Sequence, residues 1–487
     1  MVLKNSLMYL ITRRRLWLDV LLVGSLSGCA LIHHDSPQWS QISPTQIQLA
    51  ETIHLAREDW PSAQWWSVYR DPQLDALIGL ALKQSPTMAV AGSRVAQARS
   101  QVEVVKAGTS LQMALNASVD REHVSASGFL GAYASNAPQI GADGPWYTQG
   151  TIGLGGSYQF DLWGKQRDQV AAAIGRENAQ LAEAATVELE ISSDVAQLYF
   201  GIQTASQTAN LLQQAVAIDS ETVAAHTERA ARGLEPDTAT QQARARLLKT
   251  QIDLTETQSR IKQLREALRA LAGAHADDLP EIALTPLPAS NASLPATLSY
   301  ELLARRPDLQ AMRWYVQASL SQIDAAKAAF YPSFDFQVFF GLDALHMADL
   351  WRHASQQLNL IPGLYLPIFD GGSLNANLRS ARTASNTLIA QYNQAVLDAV
   401  RDVAVSGTLL QGLEEEDRLQ TEKIHAVVFL QDSAEAHYRQ GLISKIAAQE
   451  ARLPVLGEKT LALQIRGQEL SQEIALVKAL GGGYRAN

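Results

Sequence analysis

The side chains able to do covalent or acid-base chemistry are sparse in this chain of 487 residues. Its 10 histidines are scattered, with His33-His34 adjacent, and no His-Glu-x-x-His, Gly-x-Ser-x-Gly or phosphate-loop pattern occurs. The single cysteine, Cys29, rules out an intramolecular disulfide and a cysteine-based metal cluster. Glu414-Glu415-Glu416-Asp417 is a charge run inside a helical pattern, which reads as a solvated face rather than a metal or acid/base site. Gly153-Leu154-Gly155-Gly156 lies within a strand pattern and lacks the spacing of a dinucleotide loop. No catalytic, cofactor-binding or metal-binding residue is assigned, and the chain does not read as an enzyme.

The position of Cys29 is more informative than its chemistry. Arg13-Arg14-Arg15 is a positive segment, Leu16 to Leu26 a short apolar one, and Ser27-Gly28 are small residues at a cleavage point. The arrangement resembles a bacterial lipoprotein signal, with Leu26-Ser27-Gly28-Cys29 as the lipobox, Cys29 the acylated first residue, and Ala30 after it pointing to the outer membrane. The net charge is −9; residues 1–28 carry four cations and one Asp, so a processed form stands at about −12. With no basic stripe to neutralise phosphates, a nucleic-acid partner is not expected. No other run of 18 apolar residues exists, so any membrane span of the mature chain must be built of strands.

The elements follow from periodicity and proline placement. After Phe160-Asp161 no proline occurs until Pro236, and after Phe369-Asp370 none until Pro454, although the chain has 17. Both stretches are rich in Ala, Leu, Gln and Glu, and Trp163 to Ala231 as one helix would reach about 100 Å. Each long helix ends at Gly233-Leu234 or Gly441-Leu442 and returns, to about Ala272 and about Leu480; Pro454 predicts a kink in the second return helix. Strand-like alternation marks Leu111 to Asp120, a run from Ile152 to Phe160 after a polar, Gly-rich connection to about Gly150, Phe334 to Phe340, and a fourth strand with Leu358, Leu360, Leu364 and Leu366 on one face. Helices are expected from Leu74, resuming at Pro86, and from Arg306-Pro307-Asp308. Trp60, Trp65, Trp66 and Tyr69 form an aromatic cluster with two readings, a subunit contact or local packing of the leader on the body.

The plan occurs twice. Ser100-Gln101 and Lys106-Ala107 recur at Ser321-Gln322 and Lys327-Ala328, 221 residues on; Phe160-Asp161 recurs 209 on; Gly233-Leu234 recurs 208 on. The division expected is 1–28 signal peptide, 29–73 leader, 74–273 first repeat, 274–298 connection, 299–480 second repeat and 481–487 flexible tail. The fold class is α+β, a duplicated membrane protein of long antiparallel helical hairpins with four strands. Four strands cannot close a barrel, so in lipid they must be completed by other subunits.

The lipobox, the duplicated Phe-Asp junctions, Arg306-Pro307-Asp308, Leu366-Pro367-Ile368-Phe369-Asp370-Gly371-Gly372 and the Gly-Leu turns together resemble a TolC-like outer membrane factor of the lipoprotein (NodT) branch. The resemblance implies a homotrimer whose twelve strands form an outer-membrane barrel and whose helices continue it as a periplasmic α-barrel tunnel. It implies a periplasmic adaptor protein at the helical tips, an inner-membrane pump beyond it, and passive efflux of small toxic or amphipathic compounds. Protein secretion in one step is the alternative duty of the same architecture; a periplasmic coiled-coil adaptor would leave the strands unexplained. The tip contacts implied are Gly233, Leu234, Gly441, Leu442 and Ser444. The acidic residue common after each turn is replaced here by Ala239 and Ala447, while Asp237 and Glu450 stand within a turn of them as candidates for a pore constriction, Glu450 equally readable as a solvated face.

Overall fold

The computed structural model describes residues 40–42, 61–123, 125, 127, 146–275, 278–289 and 305–485. The signal peptide, Cys29, Trp60 and most of the leader lie outside the described residues. The elements are α1 (Pro72–Gln84), α2 (Pro86–Gly108), β1 (Gln112–His123), β2 (Trp146–Phe160), α3 (Lys165–Ala231), α4 (Asp237–Ala272), α5 (Pro307–Ala328), β3 (Ser333–Ala344), β4 (Gln356–Tyr365), α6 (Ser373–Arg439), α7 (Lys445–Glu450) and α8 (Leu453–Ala479). The two long helices, α3 and α6, have 67 residues each, about 100 Å at 1.5 Å per residue. The expected break at Pro454 is present: α7 stops at Glu450, and α8 starts with the proline in its first turn, where no N–H is missed.

Two compact units divide these elements, 96–178 with 314–390, and 41–95 with 179–313 and 391–487. The first holds one antiparallel sheet in the order β1-β2-β3-β4. Its helical segments approach closely through small residues. A side chain on Gly175 would press on Ala318 at 3.0 Å, and Ser319 Oγ stands 3.0 Å from Ser385 Oγ in a buried hydrogen bond. The Phe-Asp junctions share a device: Asp161 accepts from the backbone N–H groups of Gln166 and Arg167, and Asp370 from those of Gly372 and Leu374. These bonds hold the Asp370 carboxyl below the usual carboxylate range, the Leu374 N–H being the largest cause.

The second unit has its own core, in which Leu74, Leu77 and Ile78 of α1 meet Tyr199 and Phe200 of α3, Leu268 of α4, and Leu470 and Ile474 of α8. Trp65 is buried in it and its Nε1 donates to Ser192 Oγ, so the aromatic cluster packs on its own chain. Asp71 caps α1 through Oδ1, which accepts from Gln73 N at 2.9 Å, while Oδ2 accepts from Tyr199 Oη at 2.5 Å. Burial, then this carboxylate, pushes the Tyr199 phenol up to about 12. Gln73 and Gln203 pin the start of the inter-repeat connection, Gln73 Oε1 accepting from Ala283 N and Gln203 Oε1 from Thr285 N.

Four expectations are corrected. β2 begins at Trp146, inside what reads as a polar connection, because Thr148 and Gly150 replace large apolar residues on its otherwise apolar face. β1 runs on to His123, where Arg121, Glu122 and His123 are polar on both faces and the alternation disappears. Leu366 lies beyond β4, which ends at Tyr365. The C-terminal Gly481-Gly482-Gly483 is not a loose tail: all three are buried at positive φ, and a side chain on Gly483 would collide with the backbone of Ser62. Gly483→Ala is therefore expected to lower the thermal unfolding midpoint, at a cost of about 1–3 kcal/mol. Gly79→Ala, which meets nothing within 4 Å on an exposed part of α1, is expected to leave the midpoint unchanged or slightly raised in the same melts.

On α8, Glu469 and Glu473 are both buried one turn apart. Burial pushes Glu469 up to about 7; Arg466, 2.7 Å away, opposes this, and Asp417, Glu414 and Glu473 reinforce it. A carboxyl whose folded value is raised lets the unfolded chain release its proton first. Stability from this group is present below about pH 4.5 and lost up to about pH 7, at about 1.4 kcal/mol per pH unit. Denaturant titrations at pH 5 and pH 8 are expected to show Glu469→Gln gaining relative to the parent at the higher pH; an equal difference at both would refute the assignment.

Candidate functional site

The sheet presents two chemically opposite faces. Register places Leu115 opposite Leu154, Leu154 opposite Phe340 and Phe340 opposite Leu358, so a row of large apolar side chains crosses all four strands on one face. The rows beside it are Met113, Gly156, Val338, Leu360 and then Tyr158, Phe336, Pro362, with Phe160, Phe334, Leu364 after them. Leu115, Leu154, Phe340 and Leu358 are all exposed in the single chain, as are Met113, Val119, Leu360 and Leu364. Aromatic side chains mark both ends of the face. Tyr158 and Phe160 meet edge to face at one end, and Trp146 packs against His123 with Arg121 over its ring at the other.

The opposite face carries Asn116, Ser118, Asp120, Gln149, Thr151, Ser157, Gln159, Asp335, Gln337, Asp343, Gln357 and Asn359 by strict alternation. Asp343 is its best-held group, Oδ2 accepting from Gln149 Nε2 and Thr151 Oγ1 at 2.9 Å each. Ile361 and Tyr365 also stand on this face, and so does Phe339. Its ring lies over Gly153 and Gly341, which pair across β2 and β3, and a Cβ at Gly153 would stand 2.6 Å from Phe339 Cζ. Gly153 and Gly341 are the floor under this ring.

The helical tips repeat one backbone solution. Gly233 and Gly441 have φ of +70° and +71°. Gly233 N donates to Ala230 O and Leu234 N to Arg229 O; Gly441 N donates to Tyr438 O and Leu442 N to His437 O, all at 2.9 Å. Leu234 and Leu442 follow at 62% and 66% exposure, apolar side chains with nothing of their own chain over them. Ser444 caps α7, its Oγ accepting from Ala447 N at 3.1 Å. The side chains differ: Glu235 is clasped by His226 Nδ1 at 2.7 Å and Arg229 Nε at 3.0 Å, whereas the repeat places Ile443 at that position. The His226 hydrogen bond first, then Arg229, lowers the Glu235 carboxyl.

Among the described residues no group of three His, Cys, Asp or Glu could hold a metal, and no helix is long and apolar enough to cross a membrane. Comparison with known proteins follows this geometry. The family model described as outer membrane efflux protein matches residues 77–274 and 298–482. The chain is 52% identical over 461 residues to the multidrug resistance outer membrane protein MdtP of Shigella flexneri, covering 95% of this chain and 94% of that protein. It superposes on the outer membrane protein VceC of Vibrio cholerae with a TM-score of 0.77 at 29% identity, over 87% of this chain and 100% of that one. The Campylobacter jejuni CmeC outer membrane channel gives 0.80 at 20% identity, a likeness of fold, over 93% and 94%.

The chain belongs to the outer membrane efflux protein family. This family transports, and its place is the outer membrane. In an outer membrane efflux protein without an apolar helix among its described residues, the strands are the part suited to span lipid; each has 10 to 15 residues, enough for a tilted crossing.

The two acidic candidates near the turns have different surroundings. Asp237 is exposed at the start of α4 and accepts from Gln241 Nε2 at 3.3 Å. Glu450 accepts from Arg246 Nη2 at 2.7 Å, and the Nε of the same guanidinium donates to Asp219 at 2.6 Å. Arg246 thus ties α7 to both helices of the first hairpin, and Glu450 is an ion-pair partner, not a bare carboxylate. Sequence patterns missed Asp219 and Arg246 because each reads as one more charge on a long helix. Asp219 is almost fully buried, with Thr250 Oγ1 as its second donor. Arg246→Ala is expected to cost roughly 3 kcal/mol in denaturant titration by stranding that carboxylate, and adding Asp219→Asn to recover most of it.

Proposed function

We propose that this chain is the outer-membrane duct of a tripartite efflux assembly, conducting small toxic or amphipathic compounds passively once a pump has delivered them. The observation that carries the proposal is the sheet, with one apolar and one polar face, all in register, and two open edges at β1 and β4. In lipid each unsatisfied edge group costs several kcal/mol, which supports closure by further copies. Three chains give twelve strands, an even number of the kind outer-membrane barrels use. The apolar face would then meet lipid and the polar face water. The pairing of helices through Ala, Gly and Ser contacts supports continuation as an α-barrel.

The exposed Leu234 and Leu442 on their glycine turns support a role as contacts for a periplasmic adaptor, with Ser444 shaping the second tip. Cys29, outside the described residues, would carry the lipid anchor. The names of the relatives, multidrug resistance outer membrane proteins, support small compounds as cargo.

The test compares a deletion strain with its parent for retention of a panel of amphipathic toxicants and for proteins released to the medium. Retention rising in the deletion, restored by the wild-type chain and not by Gly441→Trp although that variant forms trimers and reaches the outer membrane, is the expected outcome. Loss of one secreted protein with retention unchanged would replace efflux by protein secretion. Normal transport by Gly441→Trp would remove the tip assignment.

A further inference from the structure

The polar face of the sheet is segregated in charge as well as polarity. By alternation it carries Asp120, Glu122, Asp335 and Asp343, and not one Lys, Arg or His; Arg121 and His123 fall on the opposite, apolar face beside Trp146. Overall composition does not produce this, since the whole chain holds 40 Lys and Arg against 49 Asp and Glu. The aspartates are held by uncharged donors. Asp120 accepts from Ser118 at 3.2 Å, Asp335 from Gln337 at 3.4 Å, and Asp343 from Gln149 and Thr151. Such donors orient a carboxylate without cancelling its charge.

We propose that the strand section of the duct is an electrostatic filter that passes cations and cationic amphiphiles ahead of anions, with Asp120, Asp335 and Asp343 as the residues that set the preference. The proposal rests on the trimeric duct: three copies bring Asp120, Asp335 and Asp343 of each chain around one water-filled lumen with low-dielectric walls, which focus their field on whatever passes. Cargo bearing an ammonium or guanidinium group fits such a lumen; a carboxylate- or phosphate-bearing compound is repelled at low ionic strength and less so at high.

The experiment inserts the purified full-length trimer into planar bilayers and reads the reversal potential across a KCl gradient, for the parent and for Asp120→Asn/Asp335→Asn/Asp343→Asn. Asparagine keeps the size of each side chain, and trimer content is checked by migration with and without heating. The parent is expected to favour K⁺ over Cl⁻ by about threefold or more, and the triple variant to fall most of the way to no preference. A parent ratio near one, or a ratio unchanged in the triple variant, overturns the filter while leaving the duct. Inserted trimers that never conduct overturn the duct and the filter with it.

Discussion

A backbone N–H or C=O that leaves water must find a partner, and in hydrocarbon the partner can only be protein. The described sheet satisfies this between neighbouring strands and leaves it open along the outer edges of β1 and β4. The other conspicuous features fit around that debt. A sheet buried by its own chain would hide its apolar side chains, yet Leu115, Leu154, Phe340 and Leu358 are exposed in one row. Sheets that merely lie on a core do not need two aromatic ends, and this one has Tyr158 and Phe160 at one and Trp146 at the other.

The helices meet a different version of the same demand. A helix of 67 residues satisfies its own backbone, so its unmet need is side-chain contact along a great length. Small residues at Gly175, Ala318, Ser319 and Ser385 let segments approach closely within the first unit, while the second unit relies on a conventional core of Leu, Ile and aromatic side chains. Turning such a helix costs little when a glycine accepts positive φ, and the chain uses the same two hydrogen bonds at Gly233 and at Gly441. Duplication preserved that backbone and let the side chains diverge: Glu235 is clasped where Ile443 has nothing to clasp, and Asp237 corresponds to Lys445.

Legibility tracked the range of the interactions concerned. The long helices could be read because proline is absent over whole runs, and the tips because a Gly-Leu pair recurs at a constant offset; both are local properties of the chain. The strands were legible where both faces alternate cleanly, as at Phe334 to Phe340. They were not where the otherwise apolar face turns small and polar, as from Trp146 to Gly150, since Thr148 and Gly150 there break the alternation and resemble a loop. The burial of Gly481 to Gly483 against Arg305, Leu189 and Ser62 joins residues far apart in the chain, and nothing local announces it. The Asp219, Arg246 and Glu450 network was missed for the same reason: its members are ordinary helix charges until three helices are superposed.

An outer membrane efflux protein has to discriminate among what it passes, and a wall does so through properties averaged along its length. Shape is one such property, and Phe339 over its two glycines narrows the room above the polar face without adding charge. Sign is the other. Residues two apart on a strand share a face, so a rule about charge written into every second position acts on one continuous surface, whereas the same rule on a helix would scatter around the axis. Strands are therefore the economical place to encode preference. The polar face of this sheet follows such a rule, with carboxylates on β1 and β3, uncharged side chains on β2 and β4, and Arg121 and His123 kept to the other side.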